Sequence, residues 1–85
     1  MTEIDALVFK FIDRHKTVIK AFKEGKLEDY IDSLCHSCYG CACGDFHMMS
    51  SSKGIMFQGA RDTEEHLLTK KEVCRRVRMF LGSEV

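Results

Sequence analysis

Four of the five cysteines in this 85-residue chain, Cys35, Cys38, Cys41 and Cys43, fall within nine residues, in the stretch LCHSCYGCACGDFH that also holds His36 and His47. Two C-x2-C spacings overlap there, Cys35 with Cys38 and Cys38 with Cys41, followed by the tighter Cys41-Ala42-Cys43. C-x2-C suits a tetrahedral zinc ion, because the chain turns back within two residues and presents both thiolates to one metal. Gly40 and Gly44 supply the backbone freedom such a turn needs. There is no second, separate C-x2-C pair, so the remaining ligands must come from the stretch itself, from His66 or Cys74, or from His15. The expected set is Cys38, Cys41, Cys43 and His66, with Cys35 as the substitute. His66 and Cys74 are eight residues apart, about 12 Å along a continuous helix, so one unbroken helix cannot offer both to a single ion.

Composition favours a metal over disulfides. The cysteine count is odd, and the N-terminal MTEIDALVFKFIDRH interrupts its apolar residues with Asp5, Lys10 and Asp13, unlike a signal peptide or a membrane span. The expectation is a soluble intracellular protein, cytoplasmic or nuclear, whose thiols stay reduced and which has no membrane partner. A core of this size supplies roughly 3 to 5 kcal/mol, whereas a structural zinc contributes on the order of 10 kcal/mol to folding. The bland alternative is a loop of free thiols packed as small hydrophobes. An iron-sulfur cluster is the other metal alternative: Cys35-x2-Cys38-x2-Cys41 is similar to the first three cysteines of a bacterial ferredoxin, but Cys74 is followed by Arg75, not proline, and Cys43 goes unused. A thioredoxin-like redox site lacks its βαβ surroundings.

The elements around the cysteines define a small, helix-rich α+β domain spanning 1–85. Ile4, Leu7, Val8, Phe11, Ile12, Val18, Ile19 and Phe22 recur at three- and four-residue steps, which predicts a helix over 2–24 with Thr2 as its cap and Gly25 after its end. Leu27, Tyr30, Ile31 and Leu34 predict a short helix over 27–34, completing an αα-hairpin. The cysteine-rich metal loop, 35–47, comes next. Two apolar runs about a Ser, Lys and Gly turn predict a β-hairpin over 46–58. A C-terminal helix is predicted over 62–81, either continuous from a cap at Asp62 and Glu65 or broken near 69, where Thr69 and Glu72 form a second capping pair. The order of cysteine knuckle, hairpin and helix resembles treble-clef zinc folds in order alone.

His15 lies within the apolar stripe and reads as a core histidine, and Met48, Met49, Met56 and Phe57 read as packing. Phe9 alone points away from the stripe and, with the stripe's width, offers a surface for a protein partner or for self-association. Lys71, Arg75 and Arg78 line one side of the last helix and suit nucleic acid as an alternative partner. About 0.9 of salt slope per phosphate contact makes that a modest effect, and 13 basic against 13 acidic residues give the whole chain no general attraction. No phosphate loop, H-E-x-x-H, G-x-S-x-G or deaminase motif is present. The sequence therefore points to a non-enzymatic, zinc-stabilised regulatory module that works by binding a macromolecule, a protein first, with a nucleic-acid-binding zinc module and an iron-sulfur or thiol redox protein as alternatives.

Overall fold

The structure, a computed structural model, describes residues 2–60 and 62–82; of the domain expected over 1–85, positions 1, 61 and 83–85 lie outside the described residues. Among the described residues, four helices and a four-stranded antiparallel sheet follow one another as α1 (Glu3–Arg14), α2 (Thr17–Lys23), α3 (Leu27–His36), β1 (Gly40–Cys43), β2 (Phe46–Ser51), β3 (Gly54–Gln58), β4 (His66–Leu68) and α4 (Lys70–Gly82). The strands form a meander in the order β1-β2-β3-β4. The helices pack on one of its faces: α1 lies against β2 and β3, α3 against β2, and α4 against β3, β4, α1 and α3.

Helix α1 starts where Thr2 accepts a hydrogen bond from the Asp5 N–H at 3.1 Å, satisfying one of the unpaired donors of the first turn. The single helix expected over 2–24 is in fact two. His15 leaves helical geometry at φ −124°, ψ 73°, while its ring reaches back to the Phe11 carbonyl at 3.3 Å and across to the Tyr39 hydroxyl at 3.1 Å. After α2 the chain closes in a Schellman motif. Lys26 N–H donates to the Ala21 carbonyl at 2.8 Å and Gly25 N–H to the Phe22 carbonyl at 3.1 Å, with Gly25 at φ +72°.

The 35–47 segment is not one loop. Helix α3 runs on to His36, because Cys35 continues the buried stripe of Leu27 and Ile31 at four-residue steps. Gly40 to Cys43 then form a strand whose register on β2 pairs Cys41 with Met48 and Cys43 with Phe46. The hairpin expected over 46–58 is the β2–β3 pair at the centre of this wider sheet. The helix expected from residue 62 begins instead at Lys70, after Thr69 accepts a hydrogen bond from the Glu72 N–H at 3.2 Å. His66 to Leu68 are a strand, Leu68 opposite Ile55 and His66 opposite Phe57.

Phe11, Phe46, Phe57, Ile31, Ile55, Val8, Val18, Val73 and Val77 fill the space between helices and sheet. Ser50 is buried among them. Its hydroxyl donates to the Leu34 carbonyl and accepts from the Tyr39 N–H, both at 2.7 Å, so it ties the end of α3 to β2 with no polar atom left unpaired. The opposite face of the sheet is uncovered: Met49, Met56 and Leu67 stand in one cross-strand row there, Met49 and Leu67 more than half exposed.

Candidate functional site

The cysteines divide into two environments. Cys35 on α3 and Cys74 on α4 are buried in the core, 1 % and 4 % exposed, and burial pushes both thiols above the ordinary range. They pack as small hydrophobes. Cys38, Cys41 and Cys43 are at least partly exposed. Cys38 occupies a left-handed position, φ +52°, in the turn after α3. Cys41 and Cys43, two residues apart on β1, share the face of the sheet that carries the helices, because their partners Met48 and Phe46 are both buried on that face.

Basic and aromatic groups from the end of α1, the turn between α3 and β1, and β2 flank this cysteine pair. Arg14, in the last turn of α1, donates from Nη1 to Cys43 Sγ at 2.9 Å, and its guanidinium lies over the Phe46 ring at 5.9 Å. The Tyr39 hydroxyl has the Cys41 thiol and His15 as its neighbours; burial first, and then Cys41, push it above the usual phenol range. His47 turns its Nε2 toward the Gly44 carbonyl, 3.2 Å away, on the turn that follows β1.

Other expected ligands are not brought here. His66 and Cys41 stand in the same row of the sheet with Phe57 and Met48 between them. Three strand spacings of about 4.8 Å hold them roughly 14 Å apart, too far to share an ion. His66 instead faces Glu3 at 3.3 Å. The expectation that put His66 on a helix beside the cysteines failed because β4 pairs with β3, a contact between segments that no local pattern announces. Among the described residues, no three His, Cys, Asp or Glu side chains come together as a set that could hold a metal ion.

A second candidate region lies on the helical side. Where α1 breaks into α2, an open groove of about 600 Å³ forms against α4, floored by Phe9, Ile12, Ile19, Phe22, Phe80 and Leu81, with Asp13, Lys16 and Lys23 also lining it. Phe9 is 54 % exposed and meets the Phe80 ring edge-on at 6.0 Å. The sequence signal for it was Phe9, the one aromatic off the buried stripe. The groove itself depends on α4 packing beside α1, a placement of two distant segments that the sequence pattern does not reveal.

The basic face of α4 is largely neutralised within the fold. Arg75 bonds Glu72 at 2.6 Å, Arg78 reaches Glu28 on α3 at 2.9 Å, and Lys70 bonds Asp32 at 2.7 Å. Arg76 is shared between Glu72 and Asp5. Of the three residues singled out for nucleic acid, Lys71 alone has no acidic partner among the described residues.

No described helix is long and apolar enough to cross a membrane. No known protein family, characterised protein or solved structure matches the chain.

Proposed function

We propose that this chain is a non-enzymatic binding module that acts through a protein partner and carries zinc at its cysteine pair. The observation behind the first half is the open apolar groove between α1, α2 and α4, with Phe9 more than half exposed at its edge. Its size is within the range of about 300 to 1,000 Å³ common for ligand clefts. Its partly buried aromatic and aliphatic side chains, with exposed Phe9 at the edge, suit the apolar face of a partner helix, which would seat every third or fourth residue in it. Nucleic acid is the weaker alternative, since most of the basic side chains of α4 already hold carboxylates.

Zinc belongs to this reading because Cys41 and Cys43 offer two sulfurs on one face of a strand, with Arg14 donating to one of them. An intracellular setting, which keeps the thiols reduced, goes with it.

Capture from lysate on immobilised protein, compared with a Phe9→Glu variant at low and high salt, tests the partner reading. Stoichiometric retention of one protein, insensitive to salt and lost in the variant, is expected. Equal retention by both chains, or retention that collapses steeply with salt, overturns it.

A further inference from the structure

We propose that two copies of this chain join their β1 strands edge to edge and hold one zinc ion between them, with Cys41 and Cys43 of each copy as its four ligands. This inference rests on the zinc reading above and names what completes the site.

A single chain supplies two thiols on one face of β1 and no third ligand beside them: Cys35 is buried in α3, His66 is on the far edge of the sheet, and no metal-holding group of three is found among the described residues. A structural zinc takes four ligands. An internal disulfide does not account for the pair, because residues two apart on a strand stand about 7 Å apart on their shared face, whereas a disulfide needs its Cβ atoms within roughly 4.5 Å.

Strand β1 is a sheet edge, and its sequence, Gly40-Cys41-Ala42-Cys43, contains none of the lysines or prolines that discourage edges from pairing. Cys43 and Phe46 close a two-residue turn at Gly44 and Asp45, so they exchange their hydrogen bonds with each other, as do Cys41 and Met48 two residues on. Gly40 and Ala42 therefore direct their N–H and C=O groups outward. Both residues are exposed, and no backbone bond outside the ladder engages either of them among the described residues.

A second β1 strand, antiparallel and centred on Ala42, would bond through those outward groups. The register then sets Cys41 opposite Cys43 of the second copy, and Cys43 opposite its Cys41, as non-hydrogen-bonded pairs with Cα atoms about 4.5 Å apart. The two-fold axis runs perpendicular to the joined sheet, so both helical layers and all four sulfurs lie on one side. Four thiolates rising from a rectangle of about 4.5 by 7 Å can tilt toward one tetrahedral ion at about 2.3 Å.

Charge also fits. Four thiolates and one zinc ion leave two negative charges, and Arg14, already donating to Cys43 Sγ, contributes one positive charge from each copy. The Tyr39 hydroxyl beside Cys41 adds a further neighbour to the sulfurs, the kind of surrounding group that orients metal ligands.

The test is native mass spectrometry with elemental analysis on the full chain, purified in a phosphine reductant so that disulfide-linked dimers do not form. A dimer with one zinc per two chains is expected, converting to folded monomer when a chelator removes the metal. The Cys41→Ser, Cys43→Ser double variant should be a zinc-free monomer. Cys38→Ser should keep both dimer and metal. Ala42→Pro, which removes an outward N–H, should stay folded by circular dichroism and lose the dimer. One zinc per chain in a monomer overturns the shared site and leaves the zinc reading standing. Absence of zinc from every reduced preparation overturns both, and a dimer that survives chelation overturns the bridging role.

Discussion

Replacing Cys35 by serine separates a packing role from a ligand role. Cys35 is 1 % exposed on the α3 stripe with Leu27 and Ile31, and its surroundings raise its thiol pKa chiefly by desolvation. A serine hydroxyl there loses most of its water. Burying a hydroxyl costs about 1 to 3 kcal/mol, the lower end applying if the hydroxyl bonds back to the helix carbonyl four residues earlier. A cost of 1 to 2 kcal/mol corresponds to a fall in Tm of roughly 4 to 16 °C for a domain of this size. Cys43 is exposed and Cys41 lies only at the edge of the core, so in Cys41→Ser and Cys43→Ser the metal-free protein should melt within about 0.5 kcal/mol of the parent. Thermal melts of chelated protein, paired with zinc analysis of untreated protein, read both effects. Cys35→Ser should lower Tm and keep the zinc; the β1 variants should keep the metal-free Tm and lose the zinc. If Cys35→Ser strips the metal while the chelated protein melts unchanged, the division of cysteines into core and edge sets is wrong.

Two further perturbations test the frame that carries these sites. Gly54 opens β3 at φ +141°, and a Cβ there would stand 2.1 Å from the Leu68 carbonyl oxygen, whereas Gly25 at φ +72° has open space around it. Gly25→Ala should cost about 1 to 2 kcal/mol through backbone strain alone, and Gly54→Ala should cost more, at least ~3 kcal/mol, because it also forces β4 away. Equal urea midpoints for the two variants would contradict the register of β3 on β4. The Asp5 carboxyl is held below its ordinary range by the Thr2 hydrogen bond and then by Arg76, Asp32 by Lys70, Asp45 by Lys10 and Glu72 by Arg75. Each folded-state pKa lies below its unfolded value, so this stabilisation is complete above about pH 4 to 5 and is lost as pH falls through the folded-state values. Denaturant midpoints of the chelated protein should fall as pH drops below about 5, more shallowly in high salt; a midpoint unchanged in strong acid would refute these pairings.

What the sequence makes legible is local. The Thr2 and Thr69 caps, the Gly25 stop and the β2–β3 hairpin each depend on a few adjacent residues whose side-chain chemistry decides the backbone. What it hides depends on distant segments. β1 contains Gly, Cys and Ala, with little strand preference of its own, and exists because Phe46 to Met49 lie beside it. β4 is three residues long, and Leu67 and Leu68 suit a helix equally well until Met56 and Ile55 give them strand partners. The division of the cysteines was half legible. Leu27, Ile31 and Cys35 already form one buried stripe at four-residue steps, but the crowding of Cys35 with Cys38, Cys41 and Cys43 drew it into the metal set. His66 lies on a strand, not the helix its pattern predicts, because residues 66–68 pair with 55–57.

The most direct test of the proposed binding function is a site-specific photo-crosslink. A photoreactive residue in place of Phe9, at the edge of the α1–α4 groove, is compared with one in place of Arg75 on the exposed side of α4. A single crosslinked protein obtained through position 9 and absent through position 75, in reduced extract with nucleic acid intact, is the expected result. Crosslinks to nucleic acid through position 75, with none to protein through position 9, would contradict a module that acts through a protein held in that groove.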